Sequence, residues 1–508
     1  MARAFLLMMF ASSALALTYS AWTSITRYQS PYGNVRGGLL GGEPIVERAV
    51  LIVLDGIRLD VSREMRELQA LAERGSAGMT RSAQPSLSNP NRAVFVTGAW
   101  PEVNGVTNNS FFHPPPIDSL FSLAAEAGLP RAAAGSPFWA RAFGEYLEGN
   151  LLFQKKYSPR AAGTKAIAEW QADQCREAER FLASRPTGLL VADITAADGV
   201  GHDFGGESEA YREVAQEVDH CLGLLVSALD NGRTAFAIVS DHGHIDRRGG
   251  GGHGGSEREA VEVPLVFTGQ GIRQARGWQA NVVDIAPTLC VLLGLPLPAT
   301  SQGDVLWHSL ALTGDQSERS KVRADEQRGR LEGILKAEQL RSAAGSGRVL
   351  SSVTAIILGV ACLGWLLFRS RGPLVLLAGA AAYFLAYRFL FMALGLGYSL
   401  STINSEERLF LFFGKNILSA ALGLTAPWSL LRLRLPTVSG EDMFEVGCFV
   451  MSVITIQTAW IHYSSGLFMD HVLPDIDLNL RAALDLMQMA AVGVTTAAVV
   501  VLLSHGKR

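Results

Sequence analysis

The sequence predicts an α/β domain with a mostly parallel central sheet flanked by helices, followed by an all-α transmembrane region. Three observations carry this expectation. Across about residues 45–312, short apolar runs alternate with helical stretches rich in Ala, Glu and Arg. Beyond about residue 348, apolar stretches of about 20 residues recur, each long enough to cross roughly 30 Å of hydrocarbon. The 508 residues are 48% hydrophobic and only 18% charged, which leans toward a chain partly in lipid. That length exceeds one ordinary domain. A net charge of −3 gives no sign of a nucleic-acid partner.

At the N-terminus, Met1-Ala2-Arg3 precedes an apolar run from about Ala4 to Leu17. A positive start before such a run marks a signal peptide or a first anchor, so residues 1–22 should send the downstream chain across the membrane. Small residues around Ser12–Ala16 would suit a peptidase, but the uncleaved anchor is the preferred reading. Within 45–312, the runs Ala49–Leu54, Leu189–Ala192, Ala235–Val239 and Pro264–Phe267 read as buried parallel strands. Several end in Asp, Gly or His, and ligands of open α/β sheets collect at the carboxyl ends of strands. Residues 313–347 are charged and read as a solvated helix or linker.

In 348–508, spans are expected near 349–368, 373–397, 409–431, 443–463 and 482–503. Arg369 and Arg371, Arg432 and Arg434, and Lys507-Arg508 mark every second connection as cytoplasmic. The alternate connections carry Glu406, Glu407, Asp470, Asp475 and Asp477 and suit the outside. Counting back places 45–312 outside, in agreement with Arg3, and the C-terminus inside. Arg388 and Lys415 fall in or near spans, where a charge is costly and marks either function or snorkelling at a helix end. Five cysteines, at 175, 221, 290, 362 and 448, form no Cys-x-x-Cys and no dense framework. A Cys175–Cys221 disulfide would need an oxidising compartment, and the spacing does not lead one to expect it.

Five separated segments of the α/β region carry metal-type ligands. They are Val53-Leu54-Asp55-Gly56-Ile57-Arg58, Pro85-Ser86-Leu87-Ser88-Asn89-Pro90-Asn91-Arg92, Asp198-Gly199-Val200-Gly201-His202, Ser240-Asp241-His242-Gly243-His244 and Gly252-His253-Gly254-Gly255. Asp and His are the oxygen and nitrogen ligands of zinc and similar ions, and glycines beside them let backbone crowd around an ion. Read singly, each is weak, since an Asp at a strand end is more often a cap or turn. Jointly, three aspartates and three histidines divide into two sites. Two ions about 4 Å apart can clamp both oxygens of an in-line displacement at phosphorus, and a hydroxyl bound to one ionises more readily. His244 follows the Asp241-His242 pair and could stand behind the ligands of the site, but with Asp246, Arg247 and Arg248 beside it an exposed loop is the preferred reading. Gly249–Gly252 reads as flexible backbone that lets His253 reach the site, and Lys155-Lys156 could meet an anionic substrate but read first as exposed lysines.

Taken with Thr97-Gly98 and with Trp100-Pro101-Glu102 through Gly105 to Asn109, these segments make the sequence recognisable. Over about residues 48–310 it resembles the alkaline phosphatase superfamily, and within it the type I phosphodiesterase/nucleotide pyrophosphatase branch. The resemblance implies one metal at Asp198, His202 and His253, and another at Asp55, Asp241, His242 and the hydroxyl of Ser88. Ser88 would be the nucleophile, where many members have threonine, and Asn109 would hold a phosphoryl oxygen. Zinc is the usual metal and manganese serves some relatives. The implied activity is hydrolysis of a lipid-linked or nucleotide phosphate ester, a diester before a monoester, through a covalent phosphoserine on the outer side of a membrane. Residues 106–165 are the expected specificity region.

Three alternatives stand beside it. The Asp55–Asp60 stretch and the multi-span C-terminal region are similar to ethanolamine-phosphate transferases of glycolipid anchor assembly, which would pass the phosphoryl group to a lipid or glycan hydroxyl. Ser88-x-Pro90-x-Arg92 with Thr97-Gly98 matches sulfatase spacing, but the single Asp55 before Gly56 departs from the paired aspartates of that family. A catalytically inactive membrane receptor is disfavoured by the completeness of the ligand set.

Overall fold

The computed structural model describes residues 2–505 apart from 34, 38–40, 112, 154–158, 248–249, 346–347, 371, 404–405, 435–438, 466–472 and 474. Lys155, Lys156, Arg248, Gly249, Arg371, Asp470, Lys507 and Arg508 therefore lie outside the described residues. The chain divides into two units, Gln29–Arg341 and Met1–Tyr28 with Ser342–Arg508.

In the first unit the strands are β1 (Arg48–Leu54), β2 (Ser76–Arg81), β3 (Arg131–Gly135), β4 (Gly149–Leu152), β5 (Leu189–Ile194), β6 (Thr234–Val239), β7 (Ile245–Arg247), β8 (Gly250–Gly252), β9 (Glu262–Gly269) and β10 (Ala275–Asn281). Eight of them form one sheet in the order β10-β2-β9-β6-β1-β5-β3-β4, and β7 pairs with β8 apart from it. Central β1 is parallel to both neighbours, with Val53 opposite Asp193 on β5 and Val239 on β6. Every residue of β1 is buried, which explains its apolar run from Ala49 to Leu54. Ala49, Leu51 and Val53 face one layer, with Val94, Phe95, Phe121 and Leu289. Val50, Ile52 and Leu54 face the other, with Leu68, Leu182, Val214 and Leu222.

The run Pro264–Phe267, expected to be parallel, lies in β9, which is antiparallel to both β2 and β6. A parallel strand needs a crossover that returns the chain to the starting edge. Here the chain leaves β6 through the β7–β8 hairpin and the short helix Arg258–Val261, and turns straight back.

Cys175 and Cys221 are disulfide-bonded, against the expectation from spacing. They sit 46 residues apart on the helices Thr164–Ala183 and Glu209–Leu229, which only the fold brings together. The charged 313–347 segment forms the helix Gly314–Gly345. One face is docked rather than solvated: Gln327 and Leu331 are buried, and the Gln327 amide donates to the Ala299 carbonyl at 2.7 Å.

Among the described residues, the second unit contains six helices long and apolar enough to cross a membrane, Arg3–Thr23, Val349–Arg369, Pro373–Ala393, Arg408–Leu433, Gly440–Ser465 and Ile476–Leu503. The expected 373–397 span stops at Ala393, where Gly395 turns at φ +71°. The N-terminal helix buries Leu7, Ala11 and Ala14 in this unit's core. Among the polar groups inside it, Tyr387 donates to Asn416 Oδ1 at 2.7 Å, and Asn416 Nδ2 to the Leu484 carbonyl at 3.0 Å. Lys415 Nζ donates to the Leu394 carbonyl at 3.2 Å, and Arg388 lies over the Phe391 and Tyr398 rings.

Candidate active site

Because β6, β1 and β5 are adjacent and parallel, their carboxyl ends open at one edge of the sheet, and each is followed by an aspartate. Asp55 follows β1 directly. Gly56 turns there at φ +79°, and a Cβ on it would lie 2.8 Å from Asp198 Cα, so only glycine lets these two segments close. Ser240 ties the β6 end to β1 by accepting from the Ile57 amide at 2.9 Å, and Asp241 follows it. Asp198 lies in the first turn of the helix Ala196–Phe204 after β5.

One turn along that helix, His202 places Nε2 3.1 Å from Asp198 Oδ1. His253 arrives from β8, with Nε2 3.4 Å from Asp198 Oδ1 and 3.1 Å from His202 Nε2. Ligands about 2.0–2.1 Å from a tetrahedral zinc ion stand roughly 3.3 Å from one another. The Asp198–His202–His253 triangle therefore has the size of three corners of such a site. The glycines leading to His253 act through close packing rather than flexibility: Gly250–Gly252 is buried strand, and a Cβ on Gly251 would lie 2.5 Å from the Gly201 carbonyl oxygen.

The second donor group is Asp55, Asp241 and His242. His242 Nε2 stands 3.6 Å from Asp55 Oδ1, 3.6 Å from Asp241 Oδ2 and 3.1 Å from Ser88 Oγ. Asp241 Oδ1 accepts from the Gly56 and His242 amides, both at 3.0 Å. Its buried Oδ2 makes no hydrogen bond to any described residue. A sealed carboxylate oxygen of this kind fits a bound cation. The histidine tautomers agree: His253 Nδ1 donates to the Ser86 carbonyl at 2.8 Å and His242 Nδ1 to the Gly243 carbonyl at 3.2 Å. Each Nε2 is left as a lone-pair donor facing the carboxylates.

Ser88 opens the buried helix Ser88–Thr97, so its Oγ stands at a helix N-terminus, where an anion is favoured. Asn109 is exposed beside it. Its Oδ1 accepts from the Asn89 amide at 3.0 Å, which leaves Nδ2 as the donor toward a ligand.

Sequence reading gave too little weight to two parts of the centre. Arg92, which stood out only for its sulfatase-like spacing, is buried one turn after Ser88, with Nη2 2.7 Å from Asp55 Oδ2 and Nε 2.7 Å from Asp193 Oδ2. Asp193 itself was hidden inside the apolar run of β5, and also accepts from Trp139 Nε1 at 2.9 Å. The second part is His244, which is not in an exposed loop. It is fully buried, with its ring centroid 5.0 Å from that of His202 and 5.7 Å from that of His242. The signal that could have found it was the alternation Asp241-His242-Gly243-His244 on one tight turn.

Burial, with His253 alongside, pulls the His242 imidazole well below its ordinary pKa, and burial takes His244 down to about 3. Both are thus held in the neutral form that ligates metal. Burial and the neighbouring Asp55 carboxylate push Asp241 well above the usual carboxylate range. For Arg92 burial works against the charge, but Asp193, Asp55 and Asp241 outweigh it and hold the guanidinium protonated. Crowded carboxylates facing neutral imidazoles are a donor set suited to divalent ions.

Residues 49–250 match the family model for type I phosphodiesterase / nucleotide pyrophosphatase. The chain is 25% identical over 311 residues to GPI ethanolamine phosphate transferase 1 of Mus musculus, covering 51% of this chain and 32% of that protein. It is 23% identical over 289 residues to the catalytic subunit of GPI ethanolamine phosphate transferase 2 of Homo sapiens, covering 52% and 28%. The chain thus spans about a third or less of the length of these relatives. Among solved structures, murine ectonucleotide pyrophosphatase / phosphodiesterase 5 aligns with a TM-score of 0.42 and 16% identity, over 49% of this chain and 96% of that one. Asp55, Ser88, Asp198, His202, Asp241 and His242 fall inside the matched segment, and this chain carries a type I phosphodiesterase / nucleotide pyrophosphatase domain together with, among the described residues, six helices of membrane-spanning length and composition.

Proposed function

We propose that this chain is a metal-dependent membrane enzyme that cleaves a phosphodiester through Ser88 and passes the phosphoryl group to a hydroxyl of a lipid or glycan, as a phosphoethanolamine-type transferase. The observation that carries the reading is Ser88 Oγ at a helix N-terminus, 3.1 Å from His242 Nε2 and beside the donor groups Asp198–His202–His253 and Asp55–Asp241–His242. The order of preference given by the sequence alone is reversed, because similarity extends to GPI ethanolamine phosphate transferases and the chain also carries the membrane-type helices. Release to water remains the second reading, supported by the phosphodiesterase family match.

In this proposal Asp198, His202 and His253 hold one divalent ion, and Asp55, Asp241, His242 and Ser88 Oγ hold the other, zinc before manganese. When bound, the ions lower the proton affinity of the serine and oppose charge on the phosphoryl oxygens. Ser88 Oγ forms a bond to phosphorus as the bond to the leaving alcohol breaks, and the serine proton ends on that alcohol. The acceptor hydroxyl then attacks the same phosphorus, and its proton returns to Ser88 Oγ. Asn109 Nδ2 orients a phosphoryl oxygen.

Charge favours a diester. Asp55, Asp193, Asp198 and Asp241 against Arg92 leave three negative charges, so two dications bring the centre to one positive charge before Ser88 ionises. A diester monoanion neutralises that charge, whereas a monoester dianion overshoots it. Arg369, Arg432 and Arg434 at alternate connections support an outward-facing domain with the C-terminus inside. The Cys175–Cys221 disulfide supports the same side, since such bonds persist in oxidising compartments. Burial of Leu7, Ala11 and Ala14 supports residues 1–22 as a retained anchor.

The test uses the full chain in detergent with a phosphodiester donor and candidate lipid or glycan acceptors. A new diester of the acceptor is the expected product, while only hydrolysis products with every acceptor would leave the hydrolase. Ser88→Ala should abolish turnover with both ions retained, and Ser88→Thr should keep part of it. Parental turnover in folded, metal-loaded Ser88→Ala refutes the nucleophile.

A further inference from the structure

Beside the Asp198–His202–His253 triangle lies a fourth imidazole to which the family resemblance gives no task. His244 is fully buried. Its Nε2 lies 3.5 Å from Asp198 Oδ1, and neither ring nitrogen makes a well-formed hydrogen bond to any described residue. Sealing polar atoms from water without a partner costs on the order of 1–3 kcal/mol, so a buried ring in this state needs a reason.

The surrounding chain makes room for it. A Cβ on Gly56 would lie 2.9 Å from His244 Nε2, and one on Gly201 would lie 2.5 Å from its Cδ2. Gly56 directly follows Asp55, and Gly201 shares a helix with Asp198, so the ring is wedged between the segments that carry one aspartate of each donor group. Its backbone is fixed separately. The His244 carbonyl accepts from Arg58 Nη1 at 3.3 Å, and Arg58 is paired with Asp60 at 2.7 Å and Asp246 at 2.9 Å.

We propose that His244 is a positioning residue whose Nε2–H is directed at Asp198 Oδ1, fixing the carboxylate orientation that Asp198 presents to the ion shared with His202 and His253. This rests on the two-ion reading of the centre. A role as fourth ligand is disfavoured, because four protein ligands would close a tetrahedral site and a catalytic site keeps a position open. His244 is also close enough to Asp198 and His242 for the three to share an ion, so the measurement below must separate a ligand, whose loss removes an ion, from a positioning residue, whose loss weakens one. Partners that orient a ligand typically change metal affinity 10- to 100-fold when removed.

The experiment measures zinc affinity of the full chain in detergent by chelator competition, with zinc alone as the probe. In His244→Ala one of two ions should weaken about 10- to 100-fold. His244→Gln, which keeps an N–H donor, should recover part of the loss. In a His253→Ala background, where the same ion is already lost, His244→Ala should leave the affinity of the remaining ion unchanged. Parental affinity for both ions in folded His244→Ala overturns the proposal, as does equal weakening of the remaining ion in the His253→Ala background, the mark of a merely structural role. Should His244→Ala fail to fold, Gly201→Ala carries the test: its new methyl displaces the ring and should weaken the same single ion, and parental affinity in both Gly201→Ala and His244→Gln overturns the idea. A parental protein that takes up no zinc sinks the two-ion reading itself, an outcome distinct from two bound ions indifferent to His244.

Discussion

Replacing Arg92 by Met takes the sole described guanidinium out of a cluster of three buried carboxylates. Arg92 is 2% exposed, lies 2.7 Å from Asp55 Oδ2 and from Asp193 Oδ2, and is 3.8 Å from Asp241 Oδ2. Removing one partner of a buried ion pair costs about 3–5 kcal/mol, because the other charge is left without compensation. In metal-free protein the loss should reach the upper part of that range, since Trp139 Nε1 and the Gly56 and His242 amides are neutral donors. With an ion at Asp55 and Asp241 a cation still faces two of the three carboxylates, so the loss should shrink. At roughly 2–4 °C per kcal/mol for domains of this order of size, Arg92→Met should lower the melting temperature by on the order of 10 °C in EDTA and by clearly less with zinc. Tryptophan fluorescence of the detergent-solubilised full chain reads this, with Trp139 inside the cluster. Arg92→Lys keeps the charge but cannot bridge Asp55 and Asp193, and should fall between. Equal melting of Arg92→Met and the parent in EDTA would refute the electrostatic account, and so would an equal drop with and without metal.

His253→Ala should lower bound metal by about one equivalent and activity on the order of a hundredfold or more; full occupancy in that variant removes His253 from the site. In metal-free protein, His242 and His244 are held neutral by burial while their unfolded counterparts titrate near 6.5. The unfolded state therefore binds more protons on acidification, so stability is complete above about pH 6.5 and is lost as pH falls toward 3. For His244, whose folded value is about 3, up to roughly 5 kcal/mol is at stake at 1.36 kcal/mol per pH unit; an EDTA-treated protein whose melting temperature is constant from pH 7 to pH 4 contradicts this. A protease added to intact cells or spheroplasts should cut only in the α/β unit, the Gly314–Gly345 segment and the acidic connections that carry Glu406 and Asp475, and cleavage near Arg432–Arg434 would overturn the orientation.

Legibility in the sequence followed burial. Strands β1, β5 and β6 were visible because both faces are covered, which makes them continuous apolar runs. Strand β2, with only Ser76 and Thr80 fully covered, and the half-exposed β10 carry no such run and were missed. The direction of β9 was invisible, since the apolar run Pro264–Phe267 reads the same either way along. At the site, Asp55, Ser88, Asp198, His202, Asp241, His242 and His253 stood out because each sits in a short glycine- or proline-punctuated motif. Asp193 and Arg92 did not, because a charge inside an apolar strand or helix shows its purpose only when its partner, 101 residues away, is beside it. His244 was misjudged from its charged neighbours in sequence, while its neighbours in space are three histidines.

All the donors of the proposed centre, from Asp55 to His253, come from the unit Gln29–Arg341. Nothing in the first displacement at phosphorus calls on the apolar helices. Yet their interior holds polar groups that hydrocarbon makes expensive, among them Asn416, Asp485 and Gln488, all buried. Cleavage of a soluble diester would need none of this. What the helices can influence is which molecule stands at phosphorus for the second displacement, because a lipid-linked alcohol reaches the serine ester only if the enzyme works at a bilayer. A serine enzyme chooses between water and an alcohol by what it holds there after the first alcohol leaves. The choice therefore rests on the groups that hold the acceptor, and substitutions among the ligands of the centre should slow both outcomes together without changing their ratio.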